Sequence, residues 1–193
     1  PWPDPTEYMN GDACREVVQS QPENAAVMVL AWSAHFQDVC SAFGMETALM
    51  RMIEDSPLFD AVLERILLFY LDANKTFYEA TTGRLDAVLI GNDFGSQSGL
   101  MVDPALLRAK VLPGTKRLID QAHEYGVKVI HHSCGSIFPI IDDLIGIGVD
   151  AIHPIQALAK DMSAENMNSH FATRVSFCGG VDAQELLVRG SPE

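Results

Sequence analysis

Short apolar runs alternate with longer segments of 3.6-residue periodicity along this chain, and that alternation restricts the fold more than any other feature. Residues 26–31, 85–90, 127–132, 150–153 and 174–178 read as buried strands. Between them, residues 45–53 read as a helix, and a second helix opens at Ser56 with Pro57 at its first position. Leu58, Val62, Ile66, Phe69 and Ala73 recur along one face of that second helix. Asp103-Pro104 opens a helix running to about Tyr125 and closed by Gly126; residues 137–146 form a short helix, and residues 183–188 begin another. Strands that alternate with helices pair in parallel through crossover connections. Two architectures satisfy the pattern: an open doubly wound sheet, or part of a (β/α)8 barrel.

The residues at the strand ends favour the barrel. Asp93, His132, His153 and Cys178 each close a strand, and in a barrel such ends converge on one face. No GxGxxG or GxxxxGK[ST] phosphate loop follows any strand, which argues against a nucleotide-binding doubly wound sheet. The expected fold is therefore α/β: an incomplete (β/α)8 barrel of about five βα units, because a whole barrel takes roughly 250 residues and this chain has 193. Residues 1–193 are expected to form one partial domain truncated at both ends, since the sequence opens on Pro1-Trp2-Pro3 without a Met.

Charge narrows the partners. Acidic residues (26) outnumber basic ones (13), for a formal net charge of −13, so nucleic acid is an unfavourable partner. Apolar runs fall well short of the ~20 residues that span a bilayer, and no secretory signal pattern opens the chain. Four scattered cysteines do not form a disulfide framework. A cytoplasmic protein that acts on a small molecule is expected.

The sharpest chemical feature is His132-Ser133-Cys134-Gly135. Positions i and i+2 of an extended segment face one side, so an imidazole and a thiolate can point at one ion, a donor pair suited to zinc. Cys178, before Gly179-Gly180-Val181-Asp182, either supplies a third ligand or packs at its strand end. Asp182, a further candidate catalytic carboxylate, orients a ligand, caps the next helix, or does both. Asn92, Asp93, Ser96 and Gln97 form a second constellation, with Asp93 suited to acid/base work and Asn92 and Gln97 to substrate binding, or else an Asx-type turn. His153 and Gln156 repeat the theme after the fourth strand as further substrate-binding candidates. Trp32, His35 and Asp38 are candidates for a polar pocket wall, and strand alternation turns His131 away from His132 into a structural role.

In order and spacing, Asn92-Asp93-Phe94-Gly95-Ser96-Gln97, His132-Ser133-Cys134-Gly135, Gly148-Val149-Asp150-Ala151, Pro154-Ile155-Gln156 and Cys178-Gly179-Gly180-Val181-Asp182 resemble the uroporphyrinogen decarboxylase superfamily. The resemblance implies a (β/α)8 barrel and two branches of function. One branch decarboxylates uroporphyrinogen in haem synthesis without a cofactor. The other transfers methyl groups from cobamides, as in the methylcobamide:coenzyme M methyltransferases, and binds zinc through a His-x-Cys pair and a later Cys. His132 and Cys134 match that pair, whereas Cys178 comes earlier than the family's later Cys. The resemblance thus implies zinc, a corrinoid presented by a partner protein, and a thiol acceptor. The alternatives are a decarboxylase, which would need arginines at the strand ends, and a binding protein of the same fold without catalysis.

Overall fold

The computed structural model describes residues 2–182 and 184–191. Strands β1 (Met28–Trp32), β2 (Ala87–Gly91), β5 (Lys128–His132), β6 (Ala151–Ile155) and β7 (Ser176–Gly179) form one sheet, and a two-residue hairpin, β3 (Gly95–Ser96) with β4 (Gly99–Leu100), projects beyond β2. The order in the main sheet is β1-β2-β5-β6-β7, with every neighbouring pair parallel. Each strand is laid down beside the previous one in chain order, so the order never reverses. A doubly wound sheet requires such a reversal. The sequential, all-parallel order is instead that of part of a (β/α)8 barrel.

The core lies between the sheet and the helices on its outer face. Val88, Ile90, Val129, His131 and Ile152 point outward and are buried, whereas the intervening Leu89, Ile130, His132 and His153 face the interior and are only half-buried. His131 is accordingly stacked on Phe94, with ring centroids 5.7 Å apart, away from His132, and burial pushes its pKa down to about 3.

The long helix Pro57–Thr81 starts as its Ser56-Pro57 signature predicts, although the Ser56 side chain makes no cap bond. Its buried stripe is Phe59, Leu63, Ile66, Leu67, Ala73 and Phe77, one position on from the expected register at the first turns, where Leu58 is exposed. The expected single helix from Pro104 is interrupted by a π-helical turn, Leu107–Val111, before it continues as Leu112–Glu124. Pro113 explains the interruption: it has no N–H to donate to the carbonyl of Ala109. Of the last expected helix, Ala183 lies outside the described residues, and the segment Leu186–Arg189 is helical.

Among the described residues no helix is long and apolar enough to cross a membrane. The carboxyl ends of β2, β5 and β6 lie side by side, with Gly91, His132 and His153 in one row. That row is the base of the candidate site.

Candidate metal centre at the strand ends

Gly91 makes the row possible. A Cβ at this position would lie 2.5 Å from both the Cβ and the carbonyl oxygen of His132, so only glycine lets β2 approach β5 here. With no side chain on β2 between them, the Trp32 indole of β1 reaches the His132 imidazole, ring centroids 5.1 Å apart. Trp32 and Ser33 both adopt left-handed backbone conformations, φ 44° and 51°, as the chain turns out of β1. Strain of this kind in residues with side chains concentrates at functional sites.

Past His132 the chain places Cys134 on the same side, as i and i+2 spacing requires. Cys134 Sγ lies 3.4 Å from His132 Nε2. From β2, Asp93 meets both: its Oδ1 is 3.3 Å from His132 Nε2 and accepts a 2.8 Å hydrogen bond from the Cys134 backbone N–H. Gln37 Nε2 donates to the other carboxylate oxygen at 3.1 Å. One donor atom each from Asp93, His132 and Cys134 lies within 4.8 Å of the others.

The electrostatics leave this trio one charge short. Burial lowers the His132 pKa, only partly opposed by the Asp93 carboxylate, while burial and then Asp93 raise the Cys134 thiol. Without a cation both side chains are neutral at pH 7. A dication among the three donors supplies the charge that would ionise the thiol. Nitrogen, sulfur and carboxylate oxygen are all zinc donors, and three protein ligands with one open position is the composition of a catalytic zinc site. The residues present fit the group.

Beyond the trio, Gln156 Oε1 accepts from Gln97 Nε2 and from the Gly135 backbone N–H, both at 3.0 Å. This ties the β3–β4 hairpin and the end of β6 to the Cys134 loop. Gln97, Gln156, Gly180 and Asp182 line an adjacent cleft of about 250 Å³. Gln97 is exposed and Asp182 half-buried.

Several expected site residues are placed elsewhere. Asn92 is buried, and its Oδ1 accepts from the backbone N–H groups of Phe36 and Gln37 at 2.9 and 3.2 Å. It caps the helix His35–Phe43, which has no side-chain cap of its own, and therefore presents no amide to a substrate. Cys178 lies on β7, exposed and outside the donor cluster. β7 stands two strands from β5, roughly 10 Å at the usual spacing, which explains why the thiol does not join His132. Asp182 accepts backbone hydrogen bonds from Gln184, Glu185 and Leu186, and the first two hold its carboxyl below its ordinary pKa. It is a helix cap that also reaches the cleft. Of the proposed pocket wall only Trp32 is at the site: His35 is buried against the Val111 carbonyl, and Asp38 accepts from the Tyr70 hydroxyl. Gln37 and Gly91 escape sequence reasoning. A glycine at a strand end was the one available signal for the second.

The arginines of the central region are engaged at the periphery. Arg84 donates to carbonyls of Gln21, Pro22 and Ala25, while Arg108, Arg117 and Arg174 pair with Asp143, Glu64 and Asp142.

The sequence matches the family uroporphyrinogen decarboxylase (URO-D) over residues 7–193. The chain belongs to the URO-D family. No curated protein sequence matches it. Among solved structures, this URO-D chain is similar to a methyltransferase from Methanosarcina mazei, with TM-score 0.59 and 13% sequence identity. The match covers 80% of this chain and 44% of that protein, so the chain spans less than half of its length. At that identity the likeness is one of fold.

Proposed function

We propose that this URO-D family chain carries the metal centre of a zinc-dependent, cobamide-linked methyltransferase that activates a thiol acceptor. The observation that carries the reading is the convergence of His132 Nε2, Cys134 Sγ and an Asp93 carboxylate oxygen within 4.8 Å. These three residues would hold the zinc, with Asp93 as the third ligand, one of the two roles the sequence left open for Cys178. A bound zinc would act as a Lewis acid that lowers the pKa of a substrate thiol, making its thiolate available to a methyl group on a corrinoid carried by a partner protein. Gln37 and the Cys134 N–H fix the Asp93 carboxylate from two sides, and the Trp32 indole packs against the His132 ring at a tilt. Gln97, Gln156 and Asp182 line the cleft beside the metal position and would orient the acceptor. The distant fold likeness to a methyltransferase accords with this assignment. Decarboxylation of a polycarboxylate would call for guanidinium groups at the strand ends, and the four central arginines are committed elsewhere.

The test is metal analysis of the protein, as isolated and after Cys134→Ala or His132→Ala. About one zinc per chain is expected, lost in both variants. Unchanged zinc in Cys134→Ala would reject the ligand role. Consumption of methylcobalamin in the presence of thiols assays the transfer, and turnover of uroporphyrinogen without added metal would replace the reading with decarboxylation.

A further inference from the structure

The geometry points to His153 as a positioning residue that fixes His132 through a ring-to-ring hydrogen bond, His132 Nδ1 to His153 Nδ1 at 2.9 Å. Its consequence for metal binding rests on the function proposed above; the bond itself does not.

An imidazole that offers the Nε2 lone pair to a cation carries its proton on Nδ1, and a half-buried Nδ1–H needs an acceptor. In metal centres that acceptor is usually a carboxylate or a backbone carbonyl. Here the atom opposite His132 Nδ1 is another imidazole nitrogen. At this distance the two facing nitrogens share one proton, so one ring donates and the other accepts. Both directions keep the rings in place. When His153 donates, the His132 proton sits on Nε2, facing Asp93 Oδ1 at 3.3 Å. When His132 donates, Nε2 is free to bind a cation and His153 carries its own proton on Nε2. The change between the two balances: the His132 Nε2 proton leaves to solvent, the Nδ1 proton passes from His153 to His132, and His153 Nε2 takes a proton from solvent. His153 thereby lets one site be both a stable metal-free structure and a preformed metal ligand.

The backbone holds this pair in register. His132 and His153 are direct partners across the β5–β6 ladder, and the Ser133 N–H donates to the His153 carbonyl at 2.8 Å. The His132 ring is thus held between Trp32 and His153, at centroid distances of 5.1 and 5.0 Å. With Nδ1 committed, the substrate contact expected for His153 is confined to its Nε2.

Cobalt(II) titration of the protein and of two folded variants, with folding checked by circular dichroism, tests the assignment. His153→Asn keeps an acceptor where Nδ1 stood; His153→Phe keeps the ring without one. His153→Phe should weaken cobalt binding by about 10–100-fold and alter the ligand-field absorption, with His153→Asn within about threefold of the parent protein. Equal affinities for His153→Phe and the parent would overturn the inference, as would equal losses in both variants. If the parent protein binds no cobalt, the metal reading fails while this one is decided by 15N NMR of the metal-free protein. One Nδ1–H shared between His132 and His153, and lost in His153→Phe, supports the positioning role; its absence from the parent protein overturns it.

Discussion

Asp150, at the amino end of β6, and Asp93, at the carboxyl end of β2, each lie beside an imidazole, 2.8 Å from His123 Nε2 and 3.3 Å from His132 Nε2. Their surroundings differ. Asp150 also accepts from Lys128 Nζ and from the Val129 backbone N–H, both at 2.9 Å. Burial raises its pKa, but the bonds from Lys128, Val129 and His123 outweigh that and hold it below the ordinary value. At the amino end of β2 the backbone part of this joint recurs, with Asp86 accepting from the Val27 N–H at 2.7 Å. Around Asp93 there is no cation among the partners described, only an amide, a backbone N–H, an imidazole and a raised thiol. The same residue types therefore make a finished structural joint at one end of the sheet and a set of donors lacking a positive charge at the other. In barrel enzymes stability is concentrated at the amino face and chemistry at the carboxyl face.

The sharpest way to break that contrast is Asp93→Asn. The new side chain keeps an oxygen for the Cys134 N–H, and the Gln37 amide, whose Oε1 is buried without a partner among the described residues, can turn to accept from the new NH2. Thermal stability should therefore change little, while zinc affinity falls by about 100-fold, at or above the range for lost outer partners. A stability loss without a change in zinc affinity would make Asp93 another joint of the Asp150 kind. Gly91→Ala should affect both quantities. Its Cβ meets backbone and Cβ of His132 at 2.5 Å, so β2 and β5 must separate, at a cost of about 1–3 kcal/mol. Urea unfolding and cobalt titration should move together in this variant.

Asn92 lies one residue from Asp93 yet behaves like the amino-end residues. Asn92→Ala leaves the Phe36 and Gln37 N–H groups without their cap inside the protein, and about 1–2 kcal/mol of stability should be lost. Zinc content measured on the folded variant should remain at the parent level. Loss of metal at unchanged stability would return Asn92 to the site.

How much of this was legible follows from the range of the interactions. Five strands, their parallel order and the inward turn of His132 and Cys134 rest on local periodicity, and periodicity is written in the sequence. The role of Asn92 depends on two N–H groups 55 and 56 residues away, and only the folded sheet brings them to it. Cys178 has the right chemistry on the wrong strand, since strand ends that look equivalent along the chain are separated laterally by the pairing order. The π-helical turn at Leu107–Val111 had a local cause in Pro113, an interior proline that the reading of one continuous helix from Asp103 to Tyr125 passed over. Asp93 was legible as a reactive carboxylate. Its meeting with the His-x-Cys pair was not, because β2 and β5 are joined only through the fold.

The smallest expected effect is at the other end of the sheet. Asp150→Asn should cost about 1 kcal/mol at pH 7, as its partners are a largely exposed lysine and a half-exposed histidine. The pH dependence has a defined sign. Because the folded pKa is lower than the unfolded one, the carboxylate contributes its stability above the ordinary value of 3.8 and loses it as pH falls through the lower folded value. Urea midpoints of the parent protein and of Asp150→Asn should therefore differ at pH 7 and converge in acid below that value. Metal affinity should be equal in the two proteins, since no bond from Asp150 reaches the carboxyl end of the strands. A shift in zinc binding caused by Asp150→Asn would mean that strand register, set at the amino end, is transmitted along β5 to His132, and the two ends could no longer be treated as separate.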